Sequence, residues 1–335
     1  MINKITIHDF RNSAGTVQDI RFSYETFGLA LGKAPVVLVN HALSGNSQVT
    51  GETGWWKALI GEDKCIDTRR FTILAFTMPG NGYDGDPDNL FQNYREFRLR
   101  DFAEVYASAL DQIGITNIFA GIGGSIGGSL LWELAVLRPQ LFEHIIPVAT
   151  DFKATQWLRA LCKVQDSILN NSTKPLSDAR MHAMTFYRSP QSLQAKFLSP
   201  QLKTSERTIE TWLEYHGRKL EERFQLATYK LMNHLLTTTD ISNGSGDHIA
   251  AASAIDGNIH IITVNSDLFF LPGDNWDAYV NLSLIKPNIY INEIRSIHGH
   301  DAFLIEYGQL TTFLNPIFNN QYHNEKSQHS ALWSR

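Results

Sequence analysis

Near-continuous runs of β-branched and apolar residues recur along the chain at positions 36–40, 71–76, 117–121, 144–150, 259–265 and 288–292. Runs that do not alternate with polar residues belong to strands covered on both faces, so these six predict a buried parallel sheet. Between them, residues 99–113 and 126–137 repeat their apolar positions at helical spacing. Strand and helix alternating over this length imply a doubly wound α/β sheet. Two earlier strand-like runs, 4–10 and 19–27, read as an antiparallel edge added to it.

From 152 to 239 the strand pattern stops and apolar residues fall at helical spacing, among them Trp157, Leu161, Ile168, Trp212, Leu220 and Leu231. This predicts a helical insertion, a natural lid over a site on the sheet. The Asn243-Gly-Ser-Gly-Asp247 stretch reads as a flexible connection back to the sheet. The expected organisation is therefore core at 1–151 and 243–318, a helical cap at 152–242, and a weakly ordered polar tail at 319–335.

A chain of 335 residues, 43% of them hydrophobic, is long enough for one large core with such an insertion. Neither its first residues nor any later segment approaches the ~20 apolar residues of a membrane span. Cys65 and Cys162 stand far apart and outside any CxxC spacing, which predicts neither a disulfide framework nor a zinc ribbon. A cytoplasmic protein is expected. The net charge of -5, without any basic stretch, leaves no footprint for nucleic acid or an anionic membrane.

Candidate chemistry begins at Gly123-Gly124-Ser125-Ile126-Gly127, a G-x-S-x-G that follows a predicted strand and opens a predicted helix. In that context the motif is the nucleophile elbow of the α/β-hydrolase fold, with small residues where strand and helix approach. The plain alternative is a glycine-rich turn with an incidental serine. A phosphate loop fits less well, since isoleucine stands at 126 and no Gly-Lys-Ser/Thr follows. In this fold the triad runs Ser, then Asp or Glu, then His, each after a later strand. Asp267 follows the 259–265 strand, and His298 and His300 lie in the loop after 288–292. A serine hydroxyl needs an imidazole to take its proton and a carboxylate to orient that imidazole. His300 is preferred over His298 because it ends the loop, with Asp301 as N-cap of a helix over 302–313. His-x-His is also a zinc spacing, but no third ligand lies nearby in sequence. The loop Asn40-His41-Ala42-Leu43-Ser44-Gly45 is placed to supply one backbone donor of an oxyanion hole, and Ile126 the other.

His41-Ala42-Leu43-Ser44-Gly45, Gly54-Trp55-Trp56, Gly123 to Gly128, Ser266-Asp267 and Gly299-His300-Asp301-Ala302-Phe303-Leu304 together resemble the homoserine O-acetyltransferase family, in order and over most of the chain. Cap segments agree: Ala179-Arg180-Met181, Tyr187-Arg188-Ser189 and Tyr215-His216-Gly217-Arg218-Lys219. The resemblance implies Ser125, Asp267 and His300 as triad, the N–H groups of Leu43 and Ile126 as oxyanion hole, and Arg180 and Tyr187 lining the substrate tunnel. Arg180 would take an amino-acid carboxylate and Asp301 its ammonium, with Ser44 also at the substrate. Taken singly, Arg180 reads as a surface helix charge. The family usually has methionine at 126 and threonine at 44, and a longer glycine-rich segment where Met78 to Gly85 stands.

The implied reaction is ping-pong transfer of an acetyl group from acetyl-CoA, a co-substrate, to L-homoserine, in methionine biosynthesis. No bound cofactor or metal is implied. Apolar residues on the cap helices, with the family's habit, suggest a homodimer through the cap. Serine as acceptor, a succinyl donor, and a plain esterase or thioesterase with the same triad stay open; a noncatalytic scaffold is disfavoured by retention of all three triad types.

Overall fold

The computed structural model describes residues 2–198 and 208–319. The chain forms β1 (Asn3–Arg11), β2 (Val17–Gly28) and β3 (Val36–Asn40), a two-strand ladder of β4 (Ile60–Gly61) and β5 (Ile66–Asp67), then β6 (Thr72–Phe76) and α1 (Leu99–Gln112). It continues with β7 (Ile118–Gly124), α2 (Ile126–Leu137) and β8 (Phe142–Val148). Five helices follow: α3 (Gln156–Asn171), α4 (Pro175–Tyr187), α5 (Pro190–Phe197), α6 (Ile209–Glu221) and α7 (Leu226–Thr237). The chain then returns through α8 (His248–Ser253), β9 (Asn258–Val264), α9 (Pro272–Ser283), β10 (Ile289–Ile294) and α10 (Tyr307–Phe318).

Eight strands make one sheet in the order β1-β2-β6-β3-β7-β8-β9-β10. The β1 and β2 pairings are antiparallel and all pairings from β6 onward are parallel. β3, β6 and β7 are buried at every position, the property that their unbroken apolar runs foretold. Within β3, Leu38 packs into the layer that holds α1 and α2, while Val37 and Val39 pack into the opposite layer with Phe303 and Leu314. The pleat thus splits one short strand between two cores. The parallel strands all end at one edge of the sheet, so residues just after β3, β7, β9 and β10 are brought together there although they are far apart in sequence. In open α/β sheets this carboxyl edge is where ligands bind.

Two sequence expectations need correction. No helix starts at 302: residues Gly299–Leu304 form a 3-10 helix, and α10 starts at Tyr307 with Glu306 before it. Asp301 lies inside the 3-10 helix and caps nothing, because it is in the tight turn that carries His300. The link at 243–247 leads into α8, which Asp247 caps by accepting the Ala250 N–H at 2.9 Å. Of the expected tail, only Asn319 lies within the described residues. Both cysteines are buried and free.

Just past β8, Asp151 is buried, and burial pushes its carboxyl up to about 7 from the usual 3.8, aided by Asp274 and opposed by Lys153. The folded chain then holds a proton that the unfolded chain releases between about pH 4 and 7, so stability falls as pH rises through that window. Asparagine would keep the oxygen that accepts the Phe152 N–H at 2.7 Å. Asp151→Asn is therefore expected to raise the melting temperature by several degrees at pH 8. Near pH 4 the gain should vanish, and a gain independent of pH in a thermal-shift series would refute this account.

Candidate active site

Ser125 occupies the turn between β7 and α2 with φ 57° and ψ -132°. Side-chain-bearing residues avoid that region at a cost of roughly 1–3 kcal/mol, so the surroundings must hold it there. The Ser125 N–H donates to the Val148 carbonyl at 2.9 Å, and its own carbonyl accepts from Gly128 at 2.8 Å and Ser129 at 3.1 Å. The turn also needs glycine at 127 for space: a Cβ there would lie 2.6 Å from the carbonyl oxygens of both Asn40 and His41. The end of β3 and the first turn of α2 are thus in backbone contact, tied further by Asn40 Nδ2 donating to the Gly127 carbonyl at 3.2 Å.

The Ser125 hydroxyl donates to His300 Nε2 at 2.9 Å, and His300 Nδ1 donates to Asp267 Oδ2 at 2.7 Å. The other oxygen of Asp267 accepts the N–H groups of Phe269 at 2.7 Å and Phe270 at 3.0 Å. The carboxylate is out of water but fully hydrogen-bonded, which is how a buried charge is tolerated. The imidazole sits among the rings of Tyr187, Phe269, Phe270 and Phe303, with centroids 5.2 to 5.6 Å away. This arrangement can take the hydroxyl proton and hand it to a leaving group, with one tautomer enforced by the aspartate.

Beside the serine, the N–H groups of Leu43 and Ile126 donate to no acceptor among the described residues. The Ile126 donor is one that any helix start leaves over. The loop bearing Leu43 is held by His41, whose Nδ1 donates to the Ala42 carbonyl at 2.8 Å while Nε2 accepts the Met78 N–H at 2.9 Å. Burial pushes this imidazole down to about 4, so it is a neutral strut. The short segment after β6 closes on the same loop, with Asn81 Nδ2 donating to the Gly45 carbonyl at 3.1 Å. Ser44 lies in this loop, and its carbonyl accepts from Arg223 at 3.1 Å. Arg223 escaped the sequence reading, since a lone arginine after α6 carries no motif.

From the cap side, the Arg180 guanidinium lies 5.6 Å over the Tyr187 ring, which is itself 5.4 Å from the His300 ring. Arg180 has no ion pair or hydrogen bond among the described residues. Burial raises the Asp301 carboxyl above the usual carboxylate range, with Arg180 the strongest opposing charge and His300 next. Arg180 thus stands over Tyr187 beside the base with no carboxylate partner among the described residues, and Asp301 follows His300 in the same turn.

His298, the rejected rival for base, points elsewhere. Its Nδ1 accepts from Arg188 at 2.8 Å and from the Ser192 hydroxyl at 3.1 Å. Ser189 also donates to the Ile297 carbonyl, and the Gly299 N–H donates to Ser266 at 3.0 Å. The loop before His300 is therefore clamped between cap and core. His298→Phe is expected to lower kcat about 10- to 100-fold through misplacement of His300. His298→Asn, which keeps an acceptor, should recover most of it, and KM for the acyl donor should hold. A parallel loss in both variants would mean that the latch does not position the base.

A family model described as alpha/beta hydrolase fold matches residues 35–282. The chain is 31% identical over 331 residues to a homoserine O-acetyltransferase of Cyclobacterium marinum, covering 91% of each protein. The chain belongs to the homoserine O-acetyltransferase family. It is therefore an acyltransferase-family enzyme on the α/β-hydrolase fold. Among solved structures, a homoserine O-acetyltransferase from Bacillus anthracis superposes with TM-score 0.83 at 19% identity, over 96% of this chain and 98% of that one. Esterase E22 superposes with TM-score 0.82 at 18% identity, over 95% and 100%. These two likenesses concern the fold alone, which the family shares with hydrolases, and the acceptor must be argued from the site. Among the described residues no helix is long and apolar enough to cross a membrane.

Proposed function

We propose that this enzyme moves an acetyl group from acetyl-CoA to the side-chain hydroxyl of L-homoserine, a step of methionine biosynthesis. The observation that carries the reading is the Arg180 guanidinium, which has no ion pair among the described residues and is stacked on Tyr187 against the base. A hydrolase whose acceptor is water has no use for a cation and an acid that together match the carboxylate and ammonium of an amino acid.

Ser125 Oγ attacks the thioester carbonyl as His300 takes its proton, and the N–H groups of Leu43 and Ile126 hold the oxyanion. Collapse breaks the C–S bond, and His300 returns the proton to the coenzyme A thiolate. Homoserine then binds with its carboxylate on Arg180 and its ammonium on Asp301. His300 takes the proton of its hydroxyl, the oxygen attacks the acyl-serine, and the ester leaves as Ser125 regains a proton. The aromatic box and the cap keep water from the acyl-enzyme. Within the same reading the protein is a cytoplasmic homodimer joined through the cap, supported by Trp157 and Val164 on α3, 45% and 46% exposed. Light scattering on purified protein measures that state.

The deciding assay follows thiol release from acetyl-CoA with homoserine, with serine, and with no amino acid. Fast release with homoserine alone, and a rise of about 100-fold in KM for homoserine in Arg180→Met, is the expected result. Equal release with and without an amino acid would make water the acceptor and replace this reading by a hydrolase. Faster release with serine would reassign the acceptor, and release only from succinyl-CoA would reassign the donor.

A further inference from the structure

Leu43 and Ser44 are the two corner residues of a turn that the Gly45 N–H closes on the Ala42 carbonyl at 2.9 Å. The N–H of Leu43 belongs to the Ala42–Leu43 peptide, whose carbonyl is tied down twice, by Gly45 and by His41 Nδ1 at 2.8 Å. A peptide unit is planar, so fixing its oxygen aims its N–H. The Gly45 N–H in turn shares a peptide with the Ser44 carbonyl, to which Arg223 donates at 3.1 Å from just beyond the cap helix α6. Arg223 has no carboxylate partner among the described residues, and its charge-assisted bond goes to this loop. A second strut comes from α7. The buried Thr228 hydroxyl lies 2.9 Å from the Gly80 carbonyl and 3.0 Å from that of Asn81, and Asn81 Nδ2 donates to the Gly45 carbonyl at 3.1 Å. Segment and helix are in direct contact there, since a Cβ on Gly80 would lie 2.5 Å from Leu231 Cδ2. Both α6 and α7 pack on α4, the helix of Arg180 and Tyr187, so the struts belong to the same packed cap.

We propose that Arg223 and Thr228 are positioning residues of the oxyanion hole: by holding the Ser44 carbonyl and the segment beneath Gly45, the cap aims the Leu43 N–H at the oxygen that becomes negative. The cap then sets the strength of the hole as well as covering the site. Charge appears on the substrate oxygen only as Ser125 adds to the acyl carbon, so a misaimed N–H costs rate rather than binding. The inference rests on the proposed roles of Ser125 and of the Leu43 and Ile126 N–H groups. It does not depend on which donor or acceptor is used, because every ester that acylates Ser125 passes through the same oxyanion.

The test uses the full chain as parent, Arg223→Met, Arg223→Lys and Thr228→Val. Stopped-flow with p-nitrophenyl acetate gives the rate of Ser125 acylation at saturation and the ester concentration at half-saturation. Inhibition by a trifluoromethyl ketone gives a second readout: Ser125 adds to its carbonyl, the hydroxyl proton passes to His300, and a tetrahedral oxyanion is left in the hole. In Arg223→Met the acylation rate is expected to fall about 10- to 100-fold with half-saturation unchanged, and Ki for the ketone to rise by the same factor. A residue that only supported the fold would not make rate and Ki move in proportion while half-saturation held. Arg223→Lys, which restores a charged donor, should regain most of the rate. Thr228→Val removes the other strut without touching Arg223 and should shift rate and Ki in the same proportion, which keeps the account testable if Arg223→Met does not fold. Parental rate and Ki in Arg223→Met or in Thr228→Val would overturn the proposal. So would a change in half-saturation alone, which would make Arg223 a ligand of the substrate. Were these losses seen with the ester while no thiol is released from acetyl-CoA under any condition, the proposed donor would fail and the struts would stand.

Discussion

Ser125→Ala is expected to abolish acyl transfer, with kcat down ~10⁴-fold or more, and to leave the fold intact. Alanine keeps the same backbone demand at φ 57° and removes only the oxygen that donates to His300. Mass spectrometry of parent protein mixed with acetyl-CoA alone should find one acetyl group on the peptide carrying Ser125, and none in the variant. Asp267→Asn is the sharper companion. Its oxygen would still accept from Phe269 and Phe270, but its amide would face His300 Nδ1 and force the opposite tautomer, with the proton on Nε2. The base could then no longer accept from the serine, and a loss of ~10⁴-fold is expected without unfolding. Substantial turnover in Ser125→Ala would remove Ser125 from the role of nucleophile, and in Asp267→Asn it would remove Asp267 from the role of orienting His300.

Gly127→Ala should lower stability and activity together. The added carbon would stand 2.6 Å from two carbonyl oxygens that belong to backbone, so no side chain can swing away to admit it. The first turn of α2 must then move off the end of β3. Overpacking of this kind costs about 1–3 kcal/mol or more. The same shift separates the N–H of Ile126 from that of Leu43, and loss of one oxyanion donor costs about 100- to 1000-fold in kcat. Urea unfolding and kcat should therefore fall together in Gly127→Ala, whereas Ser125→Ala loses kcat alone. A Gly127→Ala protein of full stability and activity would mean that strand and helix do not need this approach.

Much was legible in the residue order because it depended on local pattern. Near-continuous apolar runs at 36–40 and 71–76 mark strands covered on both faces, since such strands admit few polar residues. The elbow was legible too, because steric need at 123 and 127 leaves glycine as the only occupant. Asp267 and His300 could be nominated because the fold sets their order along the chain.

The tertiary structure alone decided what depends on residues meeting across long separations. Which histidine meets the serine was decided by tertiary contacts: His300 reaches Ser125 across 175 positions, while His298 turns to Arg188 and Ser192 in the cap. The helix cap at Asp301 that favours His300 in the residue order does not exist, because the turn after Gly299 winds as a 3-10 helix before α10 begins. Arg223 at Ser44 and the contacts of His298 with Arg188 and Ser192 carry no local signal. Their partners lie on other elements, and side-chain direction becomes defined only when those elements pack.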